Sequence, residues 1–201
     1  DSRVVYPYFF MMLEMASTGE VSQDNVVEVA RIMESYLFRL KACQLPTNGL
    51  NRMVIALCDK TKAAGDYRAR LVSLLNTSFP DDKKFADSLM NVNLYSLRNN
   101  LAKLALVVLE ESRTKETIDF DDAQVEHIMP QRLNNDWRIE LPNANRINEE
   151  LGGVIGNLTL TKYNQEMGNK VFSEKREVYQ TSNVSLTREI ATDSPVWNQQ
   201  S

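Results

Sequence analysis

The sequence predicts a mainly α-helical chain in which a helical bundle is followed by a small α+β unit. Three observations lead there. Apolar residues recur at three- and four-residue steps through residues 1–115. The pattern switches to short alternating runs after Lys115. Glycines gather at 152, 153 and 156, just ahead of the last of those runs. The 201 residues suffice for one large domain or two small ones with a buried core. A charged fraction of 25% is that of a folded globular chain rather than a disordered tail. No apolar run reaches the roughly 18 residues of a membrane span. The stretch Tyr6 to Leu13 is too short for one and lacks the basic leader of a signal peptide. A start at Asp1 rather than Met predicts a fragment or a processed product.

In order along the chain, Val26, Val29, Met33, Tyr36, Leu37 and Leu40 lie on one wide apolar helix face. Ser22 or Asp24 can cap its first turn, because a short oxygen-bearing side chain satisfies free amides there. Gln44 to Gly49, with Pro46 and Asn48-Gly49, breaks it. Further helices are predicted at about 51–62, 67–76, 81–90 and 94–112. Pro80 followed by Asp81 and Asp82 makes a good start for the third of these, with a preset φ and acids at the positive end of the dipole. After Lys115, Thr117 to Phe120 alternates, and Val125 to Met129 is a short, largely apolar run stopped by Pro130. Asn157 to Thr161 alternates again. Phe172 to Tyr179 and Leu186 to Thr192 read as short helices. The second half is thus short strand, long loop, short strand, helix, and the domain boundary is predicted at 115/116.

Charge excludes a protein that holds a polyanion by bulk attraction. The formal net charge is −4, and residues 116–201 hold 8 Lys+Arg against 14 Asp+Glu. Cys43 and Cys58 are too few for a disulfide framework and have no metal-ligand spacing, so reduced core thiols are expected. Trp137 and Trp197 are expected to pack rather than to stack on bases.

His127 is the single histidine, within Glu126-His127-Ile128-Met129-Pro130-Gln131. Gly156-Asn157-Leu158-Thr159-Leu160-Thr161 follows, then Asn164, then a helix carrying basic residues. This order resembles the His-Me finger (HNH) nucleases, whose ββα-metal fold is two short antiparallel strands and a helix around one divalent ion. Together with Asn169 and Phe172-Ser173-Glu174-Lys175-Arg176, it resembles more narrowly the C-terminal nuclease domain of GmrSD-type restriction enzymes, modification-dependent phage-defence proteins. Tyr36 to Leu40 and Leu45 to Asn51 resemble the segment that precedes that nuclease in the same family.

The resemblance implies a metal-dependent DNA endonuclease that nicks double-stranded DNA, with modified or phage DNA as its target, in a bacterial cytoplasm and with no membrane partner. It also implies a nucleotide-binding domain N-terminal to this chain. His127 would be the general base, a role suited to an imidazole whose ordinary pKa is about 6.5. Asn157 would tie the loop together and orient the imidazole. Asn164, with Asn169 in reserve, would ligate one Mg²⁺ or Mn²⁺ ion, a hard cation that prefers oxygen donors. Glu126 would be the acidic ligand, although adjacent strand side chains face opposite ways. Asp121 and Asp122 compete with it and read equally as a solvated turn. Asn157 as a strand-edge cap and Asn169 as a helix-end residue stay open. Lys162, Lys170, Lys175 and Arg176, with Arg188 beside them, are the candidate phosphate contacts, and Arg132 and Arg138 lie on the long loop. Two other functions stay open beside this one: a catalytically silent adaptor with a nuclease-like fold, and an RNA nuclease.

Overall fold

The computed structural model describes residues 2–61, 66–114 and 118–198. The chain divides into two compact units, Asp1–Ser88 and Leu89–Ser201.

The first unit is helical. It contains α1 (Tyr6–Ser17), α2 (Gln23–Ala42), α3 (Leu50–Thr61), α4 (Tyr67–Leu75) and the first turns of α5 (Asp82–Asn91). Ser22 starts α2, its hydroxyl accepting from the Asn25 amide at 3.2 Å. Asp24 in its first turn and Arg39 and Lys41 in its last complement the dipole. Gln44 takes a positive φ of 51° and ends it. Val29, Met33, Tyr36 and Leu40 of α2 are buried with Tyr8, Met12, Leu57 and Leu71. Asp81 accepts from the Lys84 amide at 2.7 Å, which is the predicted start of α5.

The second unit opens with a 3-10 turn at Leu94–Ser96 and continues through α6 (Leu101–Arg113), β1 (Gln124–His127), α7 (Asn135–Glu140) and α8 (Ala144–Leu151). β2 (Leu158–Thr161), α9 (Asn164–Met167), α10 (Phe172–Tyr179) and α11 (Ser185–Asp193) complete it. The strands pair antiparallel, with Gln124 opposite Thr161 and His127 opposite Leu158. α6 and α11 pack on this ribbon. Ile128, Met129, Trp137, Phe172 and Tyr179 form the buried cluster beside it, and the Trp137 indole donates to the Lys170 carbonyl at 3.0 Å. Trp197 tilts against Phe172, so both tryptophans pack as expected. Glu110 of α6 is fully buried, and its carboxylate accepts from the amides of Ser185 and Leu186 at 2.6 and 2.9 Å and from the Ser185 hydroxyl at 2.8 Å. It caps the start of α11 from another element.

Four local expectations change. The helix predicted over 94–112 is interrupted, because Asn99 and Asn100 adopt positive φ (70° and 52°), and only Leu101–Arg113 continues as helix. The long loop holds two short helices, α7 and α8, which bury Trp137, Ala144 and Ile147. Of the alternating run at 117–120, Thr117 lies outside the described residues and 118–120 have no regular structure. The unit that carries the strands begins at Leu89 rather than 116, because α6 belongs to the ribbon it packs on. Among the described residues, no helix is long and apolar enough to cross a membrane.

Candidate active site

His127 ends β1, and what surrounds it follows from strand alternation. Successive side chains on a strand face opposite ways, so Glu126 and His127 part company although both lie in regular pairing with β2. His127 turns toward the Tyr95 ring, which meets it edge-on with centroids 4.3 Å apart. The imidazole is 9% exposed, and its Nε2 is sealed from solvent without a hydrogen-bond partner among the described residues. Burial, helped by the Lys175 charge, lowers its pKa from the ordinary 6.5 to about 4. At neutral pH the ring is therefore uncharged and able to accept a proton.

Tyr95 reaches this position through a glycine. Its amide donates to the Gly153 carbonyl at 3.1 Å, and Asn93, whose side chain caps the same turn through the Ser96 amide at 2.9 Å, lies against Gly153. A Cβ on Gly153 would stand 2.0 Å from the Asn93 Oδ1, so any larger residue there has to push the Asn93 side chain aside.

Asn157 holds the loop after the histidine. Its Oδ1 accepts from the Met129 amide at 2.8 Å, and its Nδ2 donates to the carbonyls of Met129 and Gly152, both at 2.9 Å. Its own carbonyl accepts from the Ile128 amide at 3.0 Å. The loop-tying role expected of it is the one these bonds perform. The bonds run to backbone, and no bond to the imidazole is among them.

On the other face of β1, Glu126 is 2% exposed and meets Lys175, which is fully buried. The ammonium donates to Glu126 Oε1 at 2.5 Å and to the His127 carbonyl at 2.7 Å, and the Tyr179 hydroxyl donates to the same carboxylate oxygen at 3.4 Å. Burial pushes the Glu126 carboxyl up and the Lys175 ammonium down, and their mutual attraction opposes both shifts.

The expected metal donors do not fit one ion here. Glu126 is committed to a cation. Asn164 donates to the Gln124 side chain at 3.2 Å, three positions and about 10 Å along the strand from His127. Asn169 is exposed, and its carbonyl accepts from Asn134 at 3.0 Å. Asp121 and Asp122 are exposed in a turn. No group of three or more His, Cys, Asp and Glu side chains among the described residues is placed to hold a metal.

The four candidate phosphate contacts separate. Lys162 and Lys170 are exposed. Lys175 is corrected: a fully buried ammonium cannot present its charge to a polyanion. Arg176 is half-buried and donates from Nε to the Ala191 carbonyl at 2.7 Å, joining α10 to α11. Lys162, Tyr163 and Arg188 line a cavity of about 470 Å³ beside the Gln124–Thr161 end of the ribbon, away from His127. Sequence reasoning missed Tyr95, Gly153 and Tyr179. Tyr95 stands 32 residues before the histidine, where no motif points, and Gly152-Gly153 reads in the sequence only as a tight turn ahead of β2.

No curated protein and no solved structure matches the chain. A family model does, that of the GmrSD restriction endonucleases, C-terminal domain, over residues 79–201. That span is more than half of the chain and contains β1, β2, His127 and the Asn157 loop. The chain belongs to the C-terminal domain family of the GmrSD restriction endonucleases, a restriction-type nuclease family whose substrate is nucleic acid.

Proposed function

We propose that the second unit hydrolyses phosphodiester bonds of double-stranded DNA one strand at a time, with His127 as the general base. The observation that supports this most is the chain's single imidazole, neutral at physiological pH, with an unpartnered Nε2 on a loop that Asn157 locks. Nε2 takes a proton from the attacking water as the water oxygen bonds to phosphorus. The bond to the leaving oxygen breaks, that oxygen takes a proton from solvent, and the imidazolium returns its own to solvent. General-base catalysis of this kind contributes roughly 100- to 10,000-fold. Water reaches Nε2 only once the groups that bury it, the edge-on Tyr95 ring among them, shift, and the same shift raises the imidazole's basicity by hydrating it.

One divalent Mg²⁺ or Mn²⁺ ion is a separate part of the proposal. Its expected donors do not converge, and the proton transfers run between His127 and solvent. Modified or phage DNA as target, a nucleotide-binding domain as companion and a bacterial cytoplasm as setting belong to the same proposal, on the strength of the family. The unconverged donors and the closed imidazole favour a second reading, a catalytically silent adaptor.

A plasmid-nicking assay with the 201-residue chain and its His127→Ala variant, each in Mg²⁺, Mn²⁺ or EDTA, tests both. The expected result is conversion of supercoiled to open-circle DNA by the wild type and a loss of roughly 100-fold or more in the variant. Full activity in the variant removes His127 as base. Cleavage by neither protein favours the adaptor. Cleavage of RNA but not DNA replaces the substrate.

A further inference from the structure

We infer that Glu126, Lys175 and Tyr179 form an internal clamp that positions His127, and that Glu126 is the counter-ion of Lys175 rather than a ligand of a divalent metal. The inference rests on His127 as the base and adds residues that act through it.

The peptide unit that follows the histidine is held at both ends. Its oxygen, the His127 carbonyl, accepts from Lys175 Nζ at 2.7 Å, and its N–H, the Ile128 amide, donates to the Asn157 carbonyl at 3.0 Å. The imidazole projects from the residue so fixed. Lys175 can hold that carbonyl only as a buried donor, and a buried ammonium needs a counter-ion. Glu126 supplies it at 2.5 Å, and Tyr179, one turn further along α10, donates to the same oxygen. One strand residue thus orients the next through a helix on the far side of the ribbon.

A divalent ion on Glu126 would sit beside this ammonium, with little solvent to screen the repulsion. It would also lie on the ribbon face opposite the imidazole, away from any phosphate in reach of Nε2. Charge and geometry both separate Glu126 from a metal that serves His127.

The test compares the 201-residue wild type with Glu126→Leu, Lys175→Met and the double variant. Each single change leaves a buried charge alone, whereas the double change replaces the pair by apolar groups of similar size. Both single variants are expected to unfold at lower urea, and the double variant to recover most of that loss. Mn²⁺ uptake, read from the electron paramagnetic resonance of the free ion, is expected to agree within twofold between wild type and double variant. The imidazole resonances of the only histidine should shift in the double variant, and kcat for nicking should fall about tenfold with KM within threefold. A tenfold or greater loss of Mn²⁺ affinity in the recovered double variant makes Glu126 a ligand and overturns the inference. So do destabilisations that simply add, or unmoved imidazole signals. No Mn²⁺ uptake by the wild type removes the ligand role outright. Absence of nicking by the wild type overturns the general-base reading alone, since the urea and resonance measurements do not depend on it.

Discussion

His127 gains its neutral state from what covers it. A group whose folded pKa is lowered contributes stability that is present above its unfolded pKa and lost as pH falls through the folded one. With 6.5 as the ordinary value and about 4 in the fold, the His127 contribution declines across that interval as the solution is acidified. Because the chain has one histidine, its imidazole resonances can be titrated without assignment, and a midpoint near 4 is expected. A midpoint near 6.5 would mean an open ring. Tyr95→Ala removes the covering ring and is expected to move the midpoint upward, toward 6.5, by hydrating the imidazole. An unchanged midpoint would assign the burial to other neighbours. At this scale the sequence singles out His127 and Asn157 because short polar motifs state their residues outright, and the Asn157 bonds to the loop backbone agree with the tying expected of it. It misplaced Lys175, since a lysine reads as surface until its counter-ion is known, and Glu126 lies 49 positions away.

Elements here are held by single polar residues rather than by length. Each strand of the ribbon has four residues, and the loop that joins it to the buried cluster depends on Asn157. Asn157→Ala strands the Met129 amide and the carbonyls of Met129 and Gly152 in buried surroundings. The expected cost is about 2–4 kcal/mol in urea unfolding, and a cost below 0.5 kcal/mol would show that water takes over those bonds. Gly153→Ala sets a methyl group against Asn93 and should displace the turn that carries Tyr95. The His127 midpoint then rises as in Tyr95→Ala, with both aromatic and histidine still present. Helices with long apolar faces, such as α2, were legible because the period repeats many times. α7 and α8 were not, since six and eight residues give too few turns for a period to show. The break before α6 was legible in principle, because Asn99-Asn100 pairs two residues that tolerate positive φ. The apolar run through Leu104, Ala105 and Leu106 masked it.

Across the whole molecule, the switch in pattern at Lys115 marks where strands begin, not where a unit begins. The compact second unit starts at Leu89 because α6, periodic like the bundle helices, packs on the ribbon. A period reports that a face is buried and is silent about what buries it. The fragment 89–201 is accordingly expected to unfold in one cooperative step with the His127 resonances of the full chain. Loss of those resonances would place the first unit among the supports of the site. The acidic balance of residues 116–201 was fully legible and sets how nucleic acid is held. With Lys175 buried, and Arg176 and Arg188 bonded to backbone carbonyls, the exposed Lys162 and Lys170, joined by the exposed Arg132 and Arg138, leave about four phosphate contacts. The logarithm of affinity should then fall with that of salt at a slope of about −2 to −4. A slope steeper than −6 would require a basic surface that these residues do not supply.

The burial of a lone imidazole also turns the chain into its own clock. A reagent that acylates histidine finds one ring to modify, and its buried Nε2 reacts only during the moments when the groups around it stand aside. With reagent in excess, the modification rate divided by the rate for free imidazole gives the fraction of time the ring is open. A water on its way to Nε2 depends on the same openings, so this ratio sets the largest share of molecules ready to react at any instant.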